Sequence, residues 1–177
     1  MMLAELLVCL AVTGTLLGAV FGLLESAQRV HALGVGRVES QQNARIALDR
    51  MTREIRHAGS GAPGASFPAL SVAEPARLVL HADVNRDGVI AGNGETITWR
   101  LGGRVLRRDA GGGAQPVIDG VRDLEFTYFD AAGSPTSRPE AVRSVAIRLT
   151  TEPDHPAADP ARPTSTTLTM RVRLRNR

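Results

Sequence analysis

The chain has 177 residues, and its 21 basic side chains, all arginine, nearly balance 18 acidic ones to give a net charge of +3. Its single cysteine excludes an intramolecular disulfide, and an aromatic content of 3% leaves no stacking platform for single-stranded nucleic acid. The length suits an apolar anchor followed by one compact domain of about 120 residues.

Residues 1–24 are almost wholly apolar, and Glu5 carries their only charged side chain. About 20 apolar helical residues are needed to cross a bilayer core of about 30 Å. A carboxylate within such a segment is costly and is therefore a functional hypothesis. We predict that residues 1–24 form a transmembrane helix. The one cysteine, Cys9, is interpreted as a small packing residue of this helix.

Residues 25–58 continue the helical pattern in amphipathic form. Asp49 and Arg53 are spaced for an i, i+4 charge pair on another face, and Gly59 begins a glycine-rich end to the helix. One face of the helix follows the i, i+4, i+7, i+11 spacing that is typical of packing on a core, with Ala44, Leu48, Met51 and Ile55.

Residues 59–177 are predicted to form a globular β-rich domain. A Gly/Pro/Ala-rich loop covers residues 59–76, Gly102-Gly103 is predicted as a two-residue hairpin turn, and Pro-rich residues 151–165 are predicted as an exposed loop. Consecutive short strands indicate an antiparallel meander covered by the long helix, which gives an α+β fold. The predicted strands are residues 77–82, 95–101, 104–108, 124–129, 142–150 and 166–175.

An acidic loop between two predicted strands begins with the pattern D-x-N-x-D-G of a calcium-binding loop. Asp83, Asn85, Asp87 and Glu95 are the candidate side-chain ligands. Glu95 is the thirteenth residue of the loop rather than the twelfth, and no helix follows it. The alternative interpretation is a turn-rich hairpin, because Asn, Asp and Gly dominate such turns.

No catalytic motif is evident. The chain has no G-x-S-x-G elbow, no P-loop and no H-E-x-x-H, and its four histidines are scattered. We therefore expect a non-enzymatic protein with no cofactor other than the calcium hypothesis. Nucleic acid is not an expected partner, because the alternating arginines of residues 171–177 are better explained as the solvated face of a strand.

The N-terminal residues Met1-Met2-Leu3-Ala4-Glu5-Leu6-Leu7-Val8 resemble the mature N-terminus of type IV pilins and type II secretion pseudopilins, which has the form F-T-L-I-E-L-L-V. Met1 in place of Phe is a departure from that pattern. Residues 47–59, A-L-D-R-M-T-R-E-I-R-H-A-G, look like the end of the long helix in PilW-like minor pilins. The type II secretion pseudopilin J is similar in this region and is the alternative.

The resemblance implies a pilin-like fold, in which residues 1–24 form a transmembrane or filament-core helix and the amphipathic continuation of that helix packs on an antiparallel sheet. It also implies that prepilin peptidase removes a leader before Met1, that Met1 is then N-methylated, and that Glu5 pairs with the N-terminal amine of a neighbouring subunit. The chain would lie in the bacterial inner membrane with its C-terminal domain outside the cytoplasm. There it would meet other pilins and an inner-membrane assembly platform, and would help to initiate or cap a filament.

Two other classes of function stay open on the sequence alone. One is an adhesive or DNA-binding module displayed on a pilus, which arginine-rich strand faces would serve. The other is a monomeric, membrane-anchored protein that joins no filament.

Overall fold

A computed structural model describes residues 2–152 and 165–176. One helix, α1 (Met2–His57), is followed by eight strands and one short 3₁₀ turn (Pro139–Ala141). The strands are β1 (Leu70–Glu74), β2 (Arg77–His81), β3 (Thr96–Gly102), β4 (Val105–Asp109), β5 (Gln115–Ile118), β6 (Val121–Phe129), β7 (Ser144–Thr151) and β8 (Thr166–Arg173). The α+β class is confirmed.

The strands form two antiparallel sheets rather than the single meander that we predicted. One sheet has five strands in the order β1-β2-β3-β4-β5, and the other has three in the order β6-β7-β8. The chain crosses from one sheet to the other at Gly120, whose φ of 70° lies in the left-handed region that favours glycine. Backbone hydrogen bonds still join the sheets, as from the N–H of Val121 to the carbonyl of Arg104 at 2.9 Å.

The C-terminal part of α1 packs on β7, β8 and β5. The predicted packing face is confirmed, because Ala44, Leu48, Met51 and Ile55 are all buried. They join a single core cluster with both sheets, including Leu78, Trp99 and Leu106 of the larger sheet and Phe126, Ile147 and Leu149 of the smaller one. The packed part of α1 therefore holds the two sheets together.

Three local predictions were wrong. β1 lies inside the segment that we predicted as loop 59–76, and β5 was not predicted. The hairpin between β3 and β4 turns at Gly103 and Arg104 rather than at Gly102-Gly103, because Gly102 still pairs with Val105. Gly103 has a φ of 66° at the first loop position, as a type II′ turn requires.

The helix also differs from prediction in its charge pairs. Among the described residues Asp49 and Arg53 form no ion pair; instead Arg50 lies 3.5 Å from Glu54 on the same helix. Most of the predicted loop 151–165 lies outside the described residues, and Thr151 belongs to β7.

Candidate functional site

Glu5 lies in the first turn of α1, within a helical segment that the globular domain does not cover. From Leu3 to Leu24 every residue is exposed, including Leu3 at 77% and Phe21 at 66%. Burial on the domain begins only near Gln41, whose amide Nε2 lies 3.4 Å from Thr166 Oγ1. About 60 Å of helix, at 1.5 Å per residue, thus projects from the domain.

Both threonines of the apolar segment, residues 3–24, hydrogen-bond to the backbone of the helix itself. Thr13 Oγ1 donates to the carbonyl of Cys9 at 2.7 Å, and Thr15 Oγ1 donates to the carbonyl of Val12 at 2.8 Å. Among the described residues no side chain partners the Glu5 carboxylate. Met1, the predicted partner of Glu5 and the predicted site of methylation, lies outside the described residues. Glu5 is therefore the only charged side chain of this apolar surface, and the described part of the chain offers it no counter-ion.

By length and composition α1 is the one described helix that would cross a membrane. This property is compatible with a membrane anchor, and it is shared by signal sequences. Exposed apolar surfaces of this extent are typical of segments that contact a membrane or another protein.

The acidic loop folds around the Asp83 carboxylate. Asp83 Oδ2 accepts hydrogen bonds from the N–H groups of Ala62 at 2.9 Å and Gly88 at 3.0 Å, and Oδ1 accepts from the N–H of Asp87 at 3.1 Å. These donors, with Ala62 the strongest, lower the pKa of Asp83 against the opposing effect of desolvation. The buried Asp83 therefore ties the loop to the segment that follows α1.

The other three predicted ligands lie in the same loop. Asn85 Oδ1 accepts from the N–H of Asp87 and Asn85 Nδ2 donates to Asp87 Oδ2, both at 2.8 Å. Glu95 is 1% exposed, and its carboxylate accepts from the N–H of Gly92 at 2.5 Å and of Asn85 at 3.4 Å. Each side-chain oxygen of these residues already accepts a hydrogen bond, and within the described residues no three carboxylate, imidazole or thiolate groups converge. These hydrogen bonds stabilise the loop as a turn-rich hairpin without a metal ion. Calcium binding stays a prediction.

A polar cluster at Glu54 was missed in the sequence analysis. Glu54 Oε2 accepts a 2.7 Å hydrogen bond from Trp99 Nε1, and Oε1 accepts a 2.8 Å hydrogen bond from Arg108 Nε. Trp99 is fully buried, and Glu54 and Arg108 are mostly buried. Because these residues lie 45 and 54 positions apart in sequence, no local pattern marks the cluster. It stabilises the junction of α1 with β3 and β4.

A cleft of about 510 Å³ opens beside this cluster, between the end of α1 and the acidic loop. Arg53 and His57 of α1 line one side, and His81 and Arg86 line the other. His81 is largely buried, its Nδ1 lies 3.0 Å from Thr96 Oγ1, and desolvation lowers its pKa. These residues bring a neutral imidazole and exposed guanidinium groups together, but they do not form a nucleophile–base pair.

The chain matches no protein-family model and no curated protein sequence.

Proposed function

We propose that this protein is a structural, non-enzymatic subunit of a type IV pilus-like filament, a minor pilin or a pseudopilin. The observation that carries the proposal is the helix α1, whose residues 3–24 project from the domain as an exposed apolar segment with one acid, Glu5, near its start. The C-terminal part of the same helix, from near Gln41 to His57, packs on the β-rich domain. This division of one helix into a free apolar segment and a packed C-terminal part is what the N-terminal resemblance implies.

The position of Glu5 gives this helix a docking mechanism. On insertion scales an acidic or basic side chain at the centre of a membrane helix costs about 2.5–3.5 kcal/mol. Glu5 lies near the start of the segment, so its own cost lies below this figure for the centre, and pairing of its carboxylate with the N-terminal ammonium of an adjacent subunit would offset that cost. The attraction between the two charges is strongest when they are in contact, so it would also favour the axial position of the incoming subunit that brings them together.

The remaining parts of the proposal follow from the same helix. Prepilin peptidase would process the chain and the N-terminus would be methylated, which preserves its positive charge. Inner-membrane assembly machinery would supply the energy. The domain of residues 59–177 would lie outside the cytoplasm, and neighbouring subunits would contact the exposed apolar surface of α1.

The test is the isosteric substitution Glu5→Gln in the full chain, with Glu25→Gln as the matched control. Glu25 is an exposed glutamate of the same helix, just beyond the apolar segment, and pairs with Arg29 at 2.8 Å. We expect Glu5→Gln to insert into membranes normally but to lose co-purification with the other filament subunits, whereas Glu25→Gln retains both.

Two results would count against the proposal. If Glu5→Gln and the native chain co-purified with the same partners in equal amounts, Glu5 would have no docking role. If the native chain were released from membranes by alkaline carbonate, α1 would not be an anchor, and a filament subunit of this type would be excluded.

A further inference from the structure

Three arginines stand side by side across the middle of the five-stranded sheet. Arg77 of β2 is directly opposite Arg100 of β3, and Arg100 is directly opposite Arg107 of β4. Directly paired residues of antiparallel strands point to the same face, with Cβ atoms about 4.5–5.5 Å apart. We call these three residues the arginine row.

The arginine row lies on the face of the sheet opposite the core. Side chains alternate between the two faces of a strand, and the residues next to the row in sequence, Leu78, Trp99 and Leu106, are fully buried. Arg77 and Arg100 are exposed, and Arg107 is half-buried. Arg107 Nη1 donates to the carbonyl of Ala114 at 3.2 Å, which orients this guanidinium.

The three arginines of the row form no ion pair within the described part of the chain. Two acids lie near the row, Glu74 opposite Arg77 on β1 and Asp109 on β4, but neither forms an ion pair with it. Like charges directly opposite one another destabilise a sheet, so the row gives the isolated domain no evident benefit. The described ion pairs use other arginines instead, namely Arg29, Arg50, Arg104, Arg108, Arg122, Arg138 and Arg148.

We propose that the arginine row is a docking surface for an acidic segment of a different protein. Guanidinium groups bind carboxylates in bidentate geometry, and three of them in register present a compact cationic strip. A partner that supplies carboxylates would remove the repulsion within the row. A second copy of this chain is disfavoured, because both copies would carry the same net charge of +3.

An acidic protein segment fits this surface better than nucleic acid does. A protein that binds duplex DNA through its backbone typically neutralises about six to ten phosphates, and the row offers three cations. Binding of single strands relies on stacked aromatic side chains. The tryptophan of this sheet, Trp99, is fully buried and faces the core.

The experiment measures binding of a fluorescein-labelled octaglutamate peptide to the full chain in non-ionic detergent at low salt. The variant Arg77→Gln/Arg100→Gln/Arg107→Gln is expected to weaken binding roughly tenfold, because each surface ion pair contributes modestly. The control variant replaces three exposed arginines outside the row and so changes the net charge by the same amount; it is Arg37→Gln/Arg45→Gln/Arg173→Gln. We expect this control to weaken binding less than twofold.

Several results would overturn this inference. Equal weakening in both triple variants would show a response to net charge alone. Tighter binding of an oligothymidylate of matched charge would assign the surface to phosphates. No binding of octaglutamate by the native chain would remove the site. The row variant is also expected to melt no lower than the native chain, and a lower melting temperature would show that the row serves the sheet itself. None of these readouts depends on Glu5 or on filament assembly, so this inference and the proposed function can fail separately.

Discussion

The indole Nε1 of Trp99 donates a 2.7 Å hydrogen bond to Glu54 Oε2 and so joins the middle of the five-stranded sheet to α1. The same carboxylate accepts from Arg108, so one acid serves a buried neutral donor and a mostly buried cation. Removing a shared acceptor leaves both donors without a partner, which costs more than the loss of one ordinary hydrogen bond.

We expect Glu54→Ala to lower the free energy of unfolding by about 2–3 kcal/mol. Glu54→Gln should cost about half as much, because its amide oxygen still accepts from Trp99 but no longer pairs with the charge of Arg108. Urea unfolding followed by tryptophan fluorescence measures both, since the chain has one tryptophan. Glu39→Ala, at an exposed position of the same helix, is the control and should change stability little. Equal stability of all three variants would contradict the role given to Glu54.

The buried imidazole of His81 predicts a dependence of stability on pH. Its pKa in the folded state lies below the ordinary value of 6.5, so the folded protein binds the proton less readily than the unfolded chain does. Stability is then complete above about pH 6.5 and decreases as the pH falls below it. We expect His81→Gln to flatten the decrease in melting temperature between pH 7 and pH 5. His57→Gln, which removes an exposed imidazole of the same cleft, should leave the profile of the native chain unchanged.

The carboxyl group of Asp83 also makes folding stability decrease as the pH falls, but at lower pH than His81 does. Its folded-state pKa lies below the ordinary value of 3.8, so its contribution to stability is present above that pH and is lost as the pH falls through the folded-state pKa. Asp83→Asn should therefore be less stable than the native chain at pH 7, and the difference should shrink toward pH 3. A constant difference across this range would show that the backbone hydrogen bonds to Asp83 do not depend on its charge.

The calcium hypothesis predicts that millimolar calcium raises the melting temperature, because a ligand bound only to the folded state stabilises that state. Magnesium at equal concentration is the control for ionic strength. Asp87→Ala removes one candidate ligand at an exposed position and should abolish the calcium effect. Equal melting temperatures in calcium and in chelator would leave the loop with its structural role alone.

Gly59 lies two residues after the end of α1 and has a φ of 79°, and a Cβ added there would lie 2.8 Å from the carbonyl oxygen of Asn176. We expect Gly59→Ala to lower the free energy of unfolding by about 2 kcal/mol, since backbone strain and a backbone clash both contribute. Gly64→Ala separates the two effects, because Gly64 has a φ of 85° but no atom within 4 Å of the added Cβ. Its loss should be about 1 kcal/mol. Equal losses would mean that the contact with Asn176 carries no cost.

The packed C-terminal part of α1 could be predicted because its burial follows a local period. Met51 and Ile55 lie on the face that the i, i+4 spacing selects, and both are fully buried. The apolar alternation of β7 was equally informative, since Val145, Ile147 and Leu149 are all fully buried.

The missed strands have physical causes. β5 contains Pro116, which lacks an N–H donor and argues against a strand except at a sheet edge, and β5 is indeed an edge strand. β1 is the opposite edge, and its short apolar run lies between Pro68 and Pro75, which made the segment resemble a loop. The division into two sheets depends on where β6 pairs, and pairing over long distances has no local mark in the sequence.

Some residues of the candidate site could be predicted and others could not, because contacts between residues far apart in sequence leave no local pattern. Glu5 stands out in any reading of the first 24 residues because it is the only charge there. Glu54 and the arginine row depend on register between strands and on contacts across the fold. Arg77, Arg100 and Arg107 look like ordinary surface residues until the pairing of β2, β3 and β4 places them side by side.

Because α1 is one helix from Met2 to His57, the packing of its C-terminal part also fixes how the faces of its free end are oriented about the helix axis. Each residue turns a helix by about 100°, since 3.6 residues complete a turn. A single residue inserted between positions 25 and 40 would swing the face that carries Glu5 by about 100° about the helix axis relative to the sheets. An insertion of seven residues is close to two whole turns, so it would nearly restore the original orientation of Glu5 about the helix axis. It would also move the domain about 10 Å farther from Glu5 along the helix.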